Sequence, residues 1–439
     1  GTFKFAKETT KATTWEQIVE GWKASLLSGP VTHTTNLFGT GAFQALRPAV
    51  DALAAGVGML RGAKVGTGAT DRASMQESIA RMTGWLGGTI DGAKVGYHTF
   101  LEGEVSGKTE SFRQAIPGRA GELIRIPLRM MSAEDAMIST MYTRGELRTL
   151  AVRQAFSENL SPLTREFAER TDYLVEHPTA EMSATASSEA TRMSFNAPLG
   201  EKGRYLQLFV NKWNLQWMMP FIRTPINIFK EVTRMSPAAP FVAEWRAAIA
   251  EGGVARDRAI AELALGSAIM TVTMAYAFEG RISGAGEPDP GKKRAKAGVW
   301  QPYSALPDDT WFEYQRIQPL GTLMGLAADL AGVWDHLTEE EADKIPKMLA
   351  IAFANAVTNQ TFLQGITNVV NAMSEPQRFG PRFAQQMAAS MVPNVIGQIT
   401  TMSDPHVREV NSMIEAVQAR IPGAREQLLP KRDWLGEPV

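Results

Sequence analysis

The polar stretch from Gly103 to Thr109 contains the glycines, lysine and threonine that a phosphate-binding loop uses. In such a loop four residues separate the first glycine from Gly-Lys-Thr, so that successive backbone amides wrap the phosphates. Only three residues stand between Gly103 and Gly107 here, no β-branched strand precedes them, and no hydrophobic run ending in Asp follows to bind magnesium. The sequence therefore does not predict a nucleotide site.

The next two residues, Glu110 and Ser111, match the Glu-Ser pair of lytic transglycosylases. In those enzymes burial raises the pKa of the glutamate, which acts as a general acid. Their later glycine-rich and tyrosine elements are missing here, and the spacing is compressed. A solvated loop glutamate is the simpler interpretation, and peptidoglycan cleavage with Glu110 as the acid is the enzymatic alternative.

A third group of reactive side chains lies in residues 118–168, whose apolar spacing predicts helix. Two acids precede three arginines: Glu134, Asp135, Arg144, Arg148 and Arg153. Ser132 fits the N-cap of this helix. The charges could form a catalytic or binding cluster, but such spacings are typical of a solvated face or of intrahelical pairs worth about a few tenths of a kcal/mol.

The sequence offers few residues for a metal site and none for thiol chemistry. The five histidines contain no pair at helical ligand spacing, and the absence of cysteine excludes disulfides. We therefore predict neither a metal site nor a cofactor. A small basic cluster, Lys292, Lys293, Arg294 and Lys296, could contact phosphates or lipid head groups, although no aromatic residues interleave with it to stack on bases.

The aromatic-rich stretch 205–240 predicts two amphipathic helices separated by Pro220 and Pro225. It is either the centre of a helical core or a surface that faces a membrane or another subunit. The candidate surface residues in it are Trp213, Trp217, Met218, Phe221 and Phe229.

An uncharged run, Leu263–Phe278, follows and supplies further candidate surface residues, Ile269, Val272, Met274 and Tyr276. A bilayer span needs about 20 apolar residues. Extending this run back to Ala259 reaches that length only by including Glu262. The run is therefore a buried core helix, a helix that inserts into a membrane within an assembly, or an autonomous span.

Most of the chain has the 3–4 residue apolar period of helices, and the glycine-rich stretches 31–66 and 82–100 would let helix backbones approach closely. The sequence predicts a mainly α, elongated multi-helix bundle with one small β-hairpin insertion near 299–316. The expected divisions are 1–117 (N-terminal Gly/Ala-rich helical region), 118–282 (central helical region), 283–318 (basic linker plus β-hairpin) and 319–439 (C-terminal helical region and extended tail).

At 439 residues with a net charge of −1, the chain has no global field that would select nucleic acid or an anionic bilayer. Its 21 methionines suit surfaces that repack. It opens on Gly and shows no secretory signal, so we expect a processed product or a piece of a longer polypeptide.

Three groups of residues carry a resemblance to a known family. They are Trp300-Gln-Pro-Tyr-Ser304 with Trp311, Tyr314, Arg316 and Pro319-Leu-Gly321; Pro220-Phe221 with Arg223-Thr-Pro225 and Asn227; and Leu27-Ser-Gly-Pro30 with Thr32 and Asn36. Together they resemble the internal virion, or DNA-ejection, proteins of short-tailed bacteriophages. These groups span most of the chain, and each is a packing signature.

The resemblance implies a non-enzymatic protein that is stored in the capsid and expelled at infection, when it joins the conduit for the genome across the host envelope. It implies homo-oligomers and contacts with other virion core, portal or tail proteins, with the host inner membrane and, non-specifically, with the phage genome. Some members carry a lytic transglycosylase elsewhere in their polypeptide. The alternatives are an envelope enzyme using Glu110 and a structural capsid or portal-associated scaffold.

Overall fold

The computed structural model describes residues 12–65, 71–103, 114–212, 221–286, 300–334, 375–432 and 436–438. Helix dominates these residues. In chain order the described helices are α1 (Thr14–Leu27), α2 (Pro30–Ala45), α3 (Arg47–Val65), α4 (Met75–Gly87), α5 (Thr89–Glu102), α6 (Gly118–Ile124), α7 (Ile126–Ser157), α8 (Arg165–Glu176), α9 (Ala180–Met193), α10 (Glu201–Lys212), α11 (Arg223–Arg234), α12 (Ala243–Glu251), α13 (Gly253–Phe278), α14 (Leu320–Trp334), α15 (Pro376–Ser390), α16 (Asn394–Ser403) and α17 (Met413–Gln418). Single 3-10 turns cover Ala239–Phe241 and Arg425–Gln427.

The long helix α7 is the element on which much of the first half of the chain packs. Helices α2, α4, α5, α8 and α9 all contact it. A proline stands in its first turn, where the missing backbone donor costs nothing. The predicted N-cap at Ser132 is wrong, because the helix begins at Ile126 and Ser132 is buried inside it.

Helices α4 and α5 continue each other along α7 and touch it through glycines. These glycines recur every four residues, at Gly84, Gly88, Gly92 and Gly96. A Cβ on Gly92 would lie 2.7 Å from the carbonyl oxygen of Met137. One on Gly96 would lie 2.8 Å from the carbonyl oxygen of Ala133. The two backbones are therefore in direct contact, as the small-residue composition of 82–100 led us to expect.

The main hydrophobic core gathers side chains from α2, α7, α9, α11, α13 and α14. Its largest members are Phe43, Tyr142, Met193, Phe195, Ile228, Val232, Met235, Met270, Leu323 and Leu326. Helix α13 packs against both α3 and α14. Contacts within this core thus cross the divisions at 117/118 and 318/319 that the sequence suggested.

A short hairpin precedes α14. Strands β1 (Ser304–Ala305) and β2 (Phe312–Glu313) are antiparallel, with Ser304 opposite Glu313. The mainly α fold class with a small β-hairpin near 299–316 is confirmed. Gly252 adopts a φ of 80°, which ends α12 and separates it from α13.

Helix α1 packs against helices from the other end of the chain. The Trp22 indole N–H donates to the Ser390 hydroxyl at 2.9 Å, and the Asn394 side-chain amide donates to the Leu26 carbonyl at 2.7 Å. Pro30 begins α2 directly after the break at Ser28 and Gly29. The N-terminal helix is thereby fixed by residues that are more than 360 positions away.

Candidate functional site

Half of helix α13 is held in the bundle by buried charges, and the other half presents the apolar surface that the sequence singled out. The first charged centre surrounds Asp51 of α3. This carboxylate accepts hydrogen bonds from Arg81 of α4 and, at 2.9 Å, from Arg258 of α13. Arg81 also donates to Glu146 of α7, and Arg153 reaches Glu77 at 2.5 Å. The side chains of Asp51, Arg81 and Glu146 are almost completely buried.

The second centre surrounds Glu262, one turn further along α13. Its carboxylate faces three arginines, from α3, α9 and α11: Arg47, Arg192 and Arg234. Arg234 lies 2.8 Å from it. Arg192 additionally reaches Glu231 at 2.7 Å and Glu189 at 3.0 Å. This centre therefore joins three helices, α3, α9 and α11, to α13.

The two centres are balanced in charge, and every cation in them is an arginine. The acids are Asp51, Glu77, Glu146, Glu189, Glu231 and Glu262; the bases are Arg47, Arg81, Arg153, Arg192, Arg234 and Arg258. A guanidinium offers several N–H groups in a planar fork, so it can satisfy two or three carboxylates at once. Lysine could not bridge helices in this way.

The arginines keep the buried acids ionised. Burial opposes the charge on Asp51, but Arg258, Arg81 and Arg47 outweigh it and lower its pKa to about 2. The pKa of Glu189 is also lowered to about 2, since the neighbouring Arg192 and Arg47 overcome burial. The pKa values of Glu146 and Glu262 are lowered for the same reason. The network is a set of ion pairs at neutral pH.

A third contact holds the start of α13. The buried carboxylate of Asp257 lies 2.9 Å from Arg61 of α3, and Arg61 also reaches Asp71 at 2.8 Å. Asp257, Arg258 and Glu262 together attach the first three turns of α13 to the bundle.

The second half of α13 is different in chemistry and in exposure. Ile269, Met270 and Met274 pack into the main core, whereas Val272 and Tyr276 are exposed. Among the described residues, α13 is the helix that is long and apolar enough to cross a bilayer, and 33% of its most apolar stretch is buried. A large part of this apolar helix is thus left uncovered by the described chain.

A wide apolar groove opens between α11, α13 and α14, with a volume of about 1230 Å³. Phe229, Phe241, Met270 and Leu326 line it. At its rim, Lys230 pairs with a carboxylate of α12 at 2.7 Å. Of the predicted candidate residues, Phe229 lines this groove, whereas Val272 and Tyr276 lie on the exposed face of α13 and do not line it.

The predicted surface residues fall into three sets. Val272 and Tyr276 are exposed and Phe229 lines the groove, whereas Ile269 and Met274 point into the core and do not belong to a free surface. Phe221 packs beside the small core of Leu27 and Leu128, with the Lys23 ammonium 5.9 Å from its ring. Trp213, Trp217, Met218, Lys292, Lys293, Arg294 and Lys296 lie outside the described residues, as does Glu110.

The charges of α7 do not form the single cluster that the sequence allowed. Arg144 pairs with Asp91 of α5 at 2.9 Å, and Arg148 with Asp172 of α8 at 3.1 Å. Arg153 enters the first charged centre. The interpretation as intrahelical pairs is therefore wrong, because the three arginines bridge to other helices. No spacing within α7 could have shown this.

The acids at the start of α7 have a separate environment. Glu134 lies 2.8 Å from the Nδ1 atom of His33. Asp135 accepts a hydrogen bond from the Asn196 side-chain amide at 3.2 Å. Burial, aided by the nearby Glu134 charge, raises the pKa of Asp135 to about 7. Sequence reasoning identified the acids but not their partners, which come from α2 and from the turn after α9.

Several of the residues that carry the phage resemblance are buried and serve in packing. The Tyr314 hydroxyl donates to the Ser283 carbonyl at 2.6 Å, and the Tyr303 hydroxyl donates to Asp329 at 3.2 Å. Burial raises the pKa of Asp329 to about 6. Asn227 of α11 donates to two backbone carbonyls after α9, at 2.9 and 2.8 Å.

Comparison of the chain with protein-family models, with curated proteins and with solved structures found no match. No group of three or more His, Asp or Glu within the described ranges could hold a metal ion.

Proposed function

We propose that this chain is a non-enzymatic component of a phage virion that oligomerises and helps form the conduit for genome ejection across the host cell envelope. One observation carries the proposal: α13 is anchored by buried ion pairs in its first half and exposes apolar side chains in its second half. A soluble helix normally buries its apolar half and exposes its charges. The reversed arrangement suits a helix that meets an apolar partner outside the chain.

The apolar groove between α11, α13 and α14 is a second surface of this kind. It is bordered by Phe229 and by Phe241, which is 84% exposed. Exposed apolar surface of this extent marks an interaction or membrane-contact site. The envelope through which a genome must pass provides both kinds of partner.

The resemblance to ejection proteins supports the same conclusion from a different direction. Its residues hold the hairpin, bond to Asp329 within α14, and fix the segment that follows α9 to α11. They thus position the elements that border α13 and the groove.

Flotation with liposomes of bacterial phospholipids tests the proposal. We expect the purified chain to float, and the double variant Val272→Asp, Tyr276→Asp to remain in the dense fraction, because two charges on the exposed face oppose contact with the bilayer. The matched control is Leu163→Asp, Met402→Asp, which places two charges at apolar positions that are 96% and 87% exposed elsewhere. The control should float like the parent.

Failure of the parent to float at any lipid composition would contradict a membrane conduit and favour a capsid scaffold. Release of soluble fragments from purified peptidoglycan, lost on Glu110→Ala, would contradict the non-enzymatic part of the proposal.

A further inference from the structure

Helices α4 and α5 are apolar on the side that faces solvent. Their outward face carries seven large apolar side chains, each between 45% and 68% exposed: Met75, Ile79, Met82, Leu86, Ile90, Tyr97 and Leu101. We call this set the outer stripe. Its members recur at intervals of three, four or seven residues, so they follow one side of the helical path.

The outer stripe lies opposite the glycines that contact α7. At 100° per residue, Leu86 and Ile90 are on the far side of the helix from Gly84 and Gly88. Small residues therefore face inward and large aliphatic residues face outward. This is the reverse of the usual arrangement in a helix that has solvent on its outer side.

The outer stripe is symmetric about Gly88. Met75 and Leu101 are each 13 positions from it, Ile79 and Tyr97 are each nine, and Leu86 and Ile90 are each two. Met82 is the exception, because its counterpart is Lys94, whose aliphatic stem can cover an apolar neighbour. In an isologous contact residue i of one copy meets residue j of the other, and j meets i. A stripe with this spacing is self-complementary when two copies lie antiparallel.

We propose that the outer stripe binds the outer stripe of a second copy of this chain, antiparallel, with the two helical paths crossing at Gly88. The pairing brings Leu86 of one copy to Ile90 of the other and Met75 to Leu101. It deepens the proposed function, because it rests on the oligomer in that proposal and assigns a surface to it.

The exposed area fits such a contact. Seven side chains at these exposures present on the order of 800 Å², which is what one partner contributes to an interface of standard size. A bilayer fits less well, since interfacial helices carry many Lys and Arg beside their apolar face. Of the charged residues on α4 and α5, Arg81 and Glu77 are buried in the ion-pair network and Asp91 pairs with Arg144.

Sedimentation velocity in lipid-free buffer is the first test. The parent should show a concentration-dependent mass that rises to twice 47.9 kDa. Leu86→Asp, Ile90→Asp places two charges at the crossing point and should leave a monomer at every concentration. The Leu163→Asp, Met402→Asp control should behave as the parent, and unchanged circular dichroism of all three would show that they fold.

Cysteine cross-linking tests the direction of the pairing, and the chain contains no cysteine of its own. Met75→Cys mixed with Leu101→Cys should give a covalent dimer with a short bismaleimide, as should Leu86→Cys mixed with Ile90→Cys. Met75→Cys alone should not, because 26 helical residues place the two thiols about 39 Å apart.

A parent that remains monomeric, or cross-links that favour Met75 with Met75, would overturn the proposal. Co-flotation with liposomes that Leu86→Asp, Ile90→Asp abolishes, without a lipid-free dimer, would assign the stripe to the membrane instead. A dimer that cross-links as expected but never binds liposomes would uphold the pairing and count against the conduit, so the two proposals fail separately.

Discussion

The two halves of α13 invert the usual relation between polarity and burial. In the first half Asp257 and Glu262 have almost no exposed surface, and each is paired with arginine. In the second half Val272, Tyr276 and Phe278 are exposed. A charge can be buried when several guanidinium groups satisfy it, and an apolar side chain can be exposed when its partner lies outside the chain.

The comparison shows that hydropathy alone does not locate the core of this protein. The first half of α13 packs in one specific arrangement, because its ion pairs require particular residues on α3, α9 and α11. Replacing one buried pair by well-packed apolar residues can be neutral or stabilising, whereas removing one partner leaves an uncompensated charge. The network is therefore expected to be sensitive to single changes.

Acid should remove the stabilisation that the buried ion pairs give to the folded protein. Asp51 and Glu189 have folded pKa values of about 2, well below their unfolded values. Acids with lowered pKa values stabilise the fold above the unfolded pKa and lose that contribution as the pH falls to the folded pKa. We expect cooperative unfolding between about pH 4.5 and pH 2, monitored by circular dichroism. High salt should weaken the ion pairs little at neutral pH, because they are buried.

Asp135 and Asp329 act in the opposite sense, because burial raises their pKa values to about 7 and about 6. As the pH falls, these carboxylates take up protons in the folded state before they do so in the unfolded state. The free energy of unfolding should therefore rise as the pH falls from 7.5 to about 5. Asp135→Asn should remove part of that rise. A stability that falls steadily from pH 7.5 downward would contradict both assignments.

The next largest effect is expected at Glu262. Glu262→Ala leaves Arg47, Arg192 and Arg234 without this shared carboxylate, and breaking a buried ion pair costs about 3–5 kcal/mol. Urea denaturation measures the loss. Glu279→Ala, at the exposed C-terminal end of the same helix, is the matched control and should change stability by less than about 0.5 kcal/mol.

A smaller effect is expected at the boundary between the two halves. A Cβ on Gly266 would overlap the Met235 carbonyl at the end of α11, so Gly266→Ala forces the helices apart and should cost about 1–3 kcal/mol. Gly87→Ala is the control, since a Cβ there meets nothing within 4 Å. It should be neutral or stabilise by about 0.5–1 kcal/mol. Equal losses in the two variants would refute the close contact.

The sequence predicts those features of the fold that depend only on residues close together in the chain. The breaks at Gly29-Pro30 and Pro319 and the hairpin near 299–316 were predictable because backbone chemistry is local. The division of α13 was not. Its second half is apolar on all sides, so no periodicity distinguishes the core-facing Ile269 from the exposed Val272.

The charged centres could not be predicted for a different reason. Arg192 and Glu262 are 70 positions apart, and Arg47 and Glu262 are 215 apart. Such pairings depend on how helices pack, which single-chain spacing does not contain. The sequence does contain a signal for one helix contact, because the glycines at 84, 88, 92 and 96 have the i, i+4 spacing of a helix contact face.

The contact between α1 and α15 has a consequence for how the protein is made. Trp22 meets Ser390 only after 368 further residues have been synthesised, which takes roughly 20 to 70 s at bacterial and eukaryotic elongation rates. Throughout that time the buried face of α1, with Val19, Trp22 and Leu27, lacks these late partners. Helix α1 therefore completes its packing only after α15 has been synthesised.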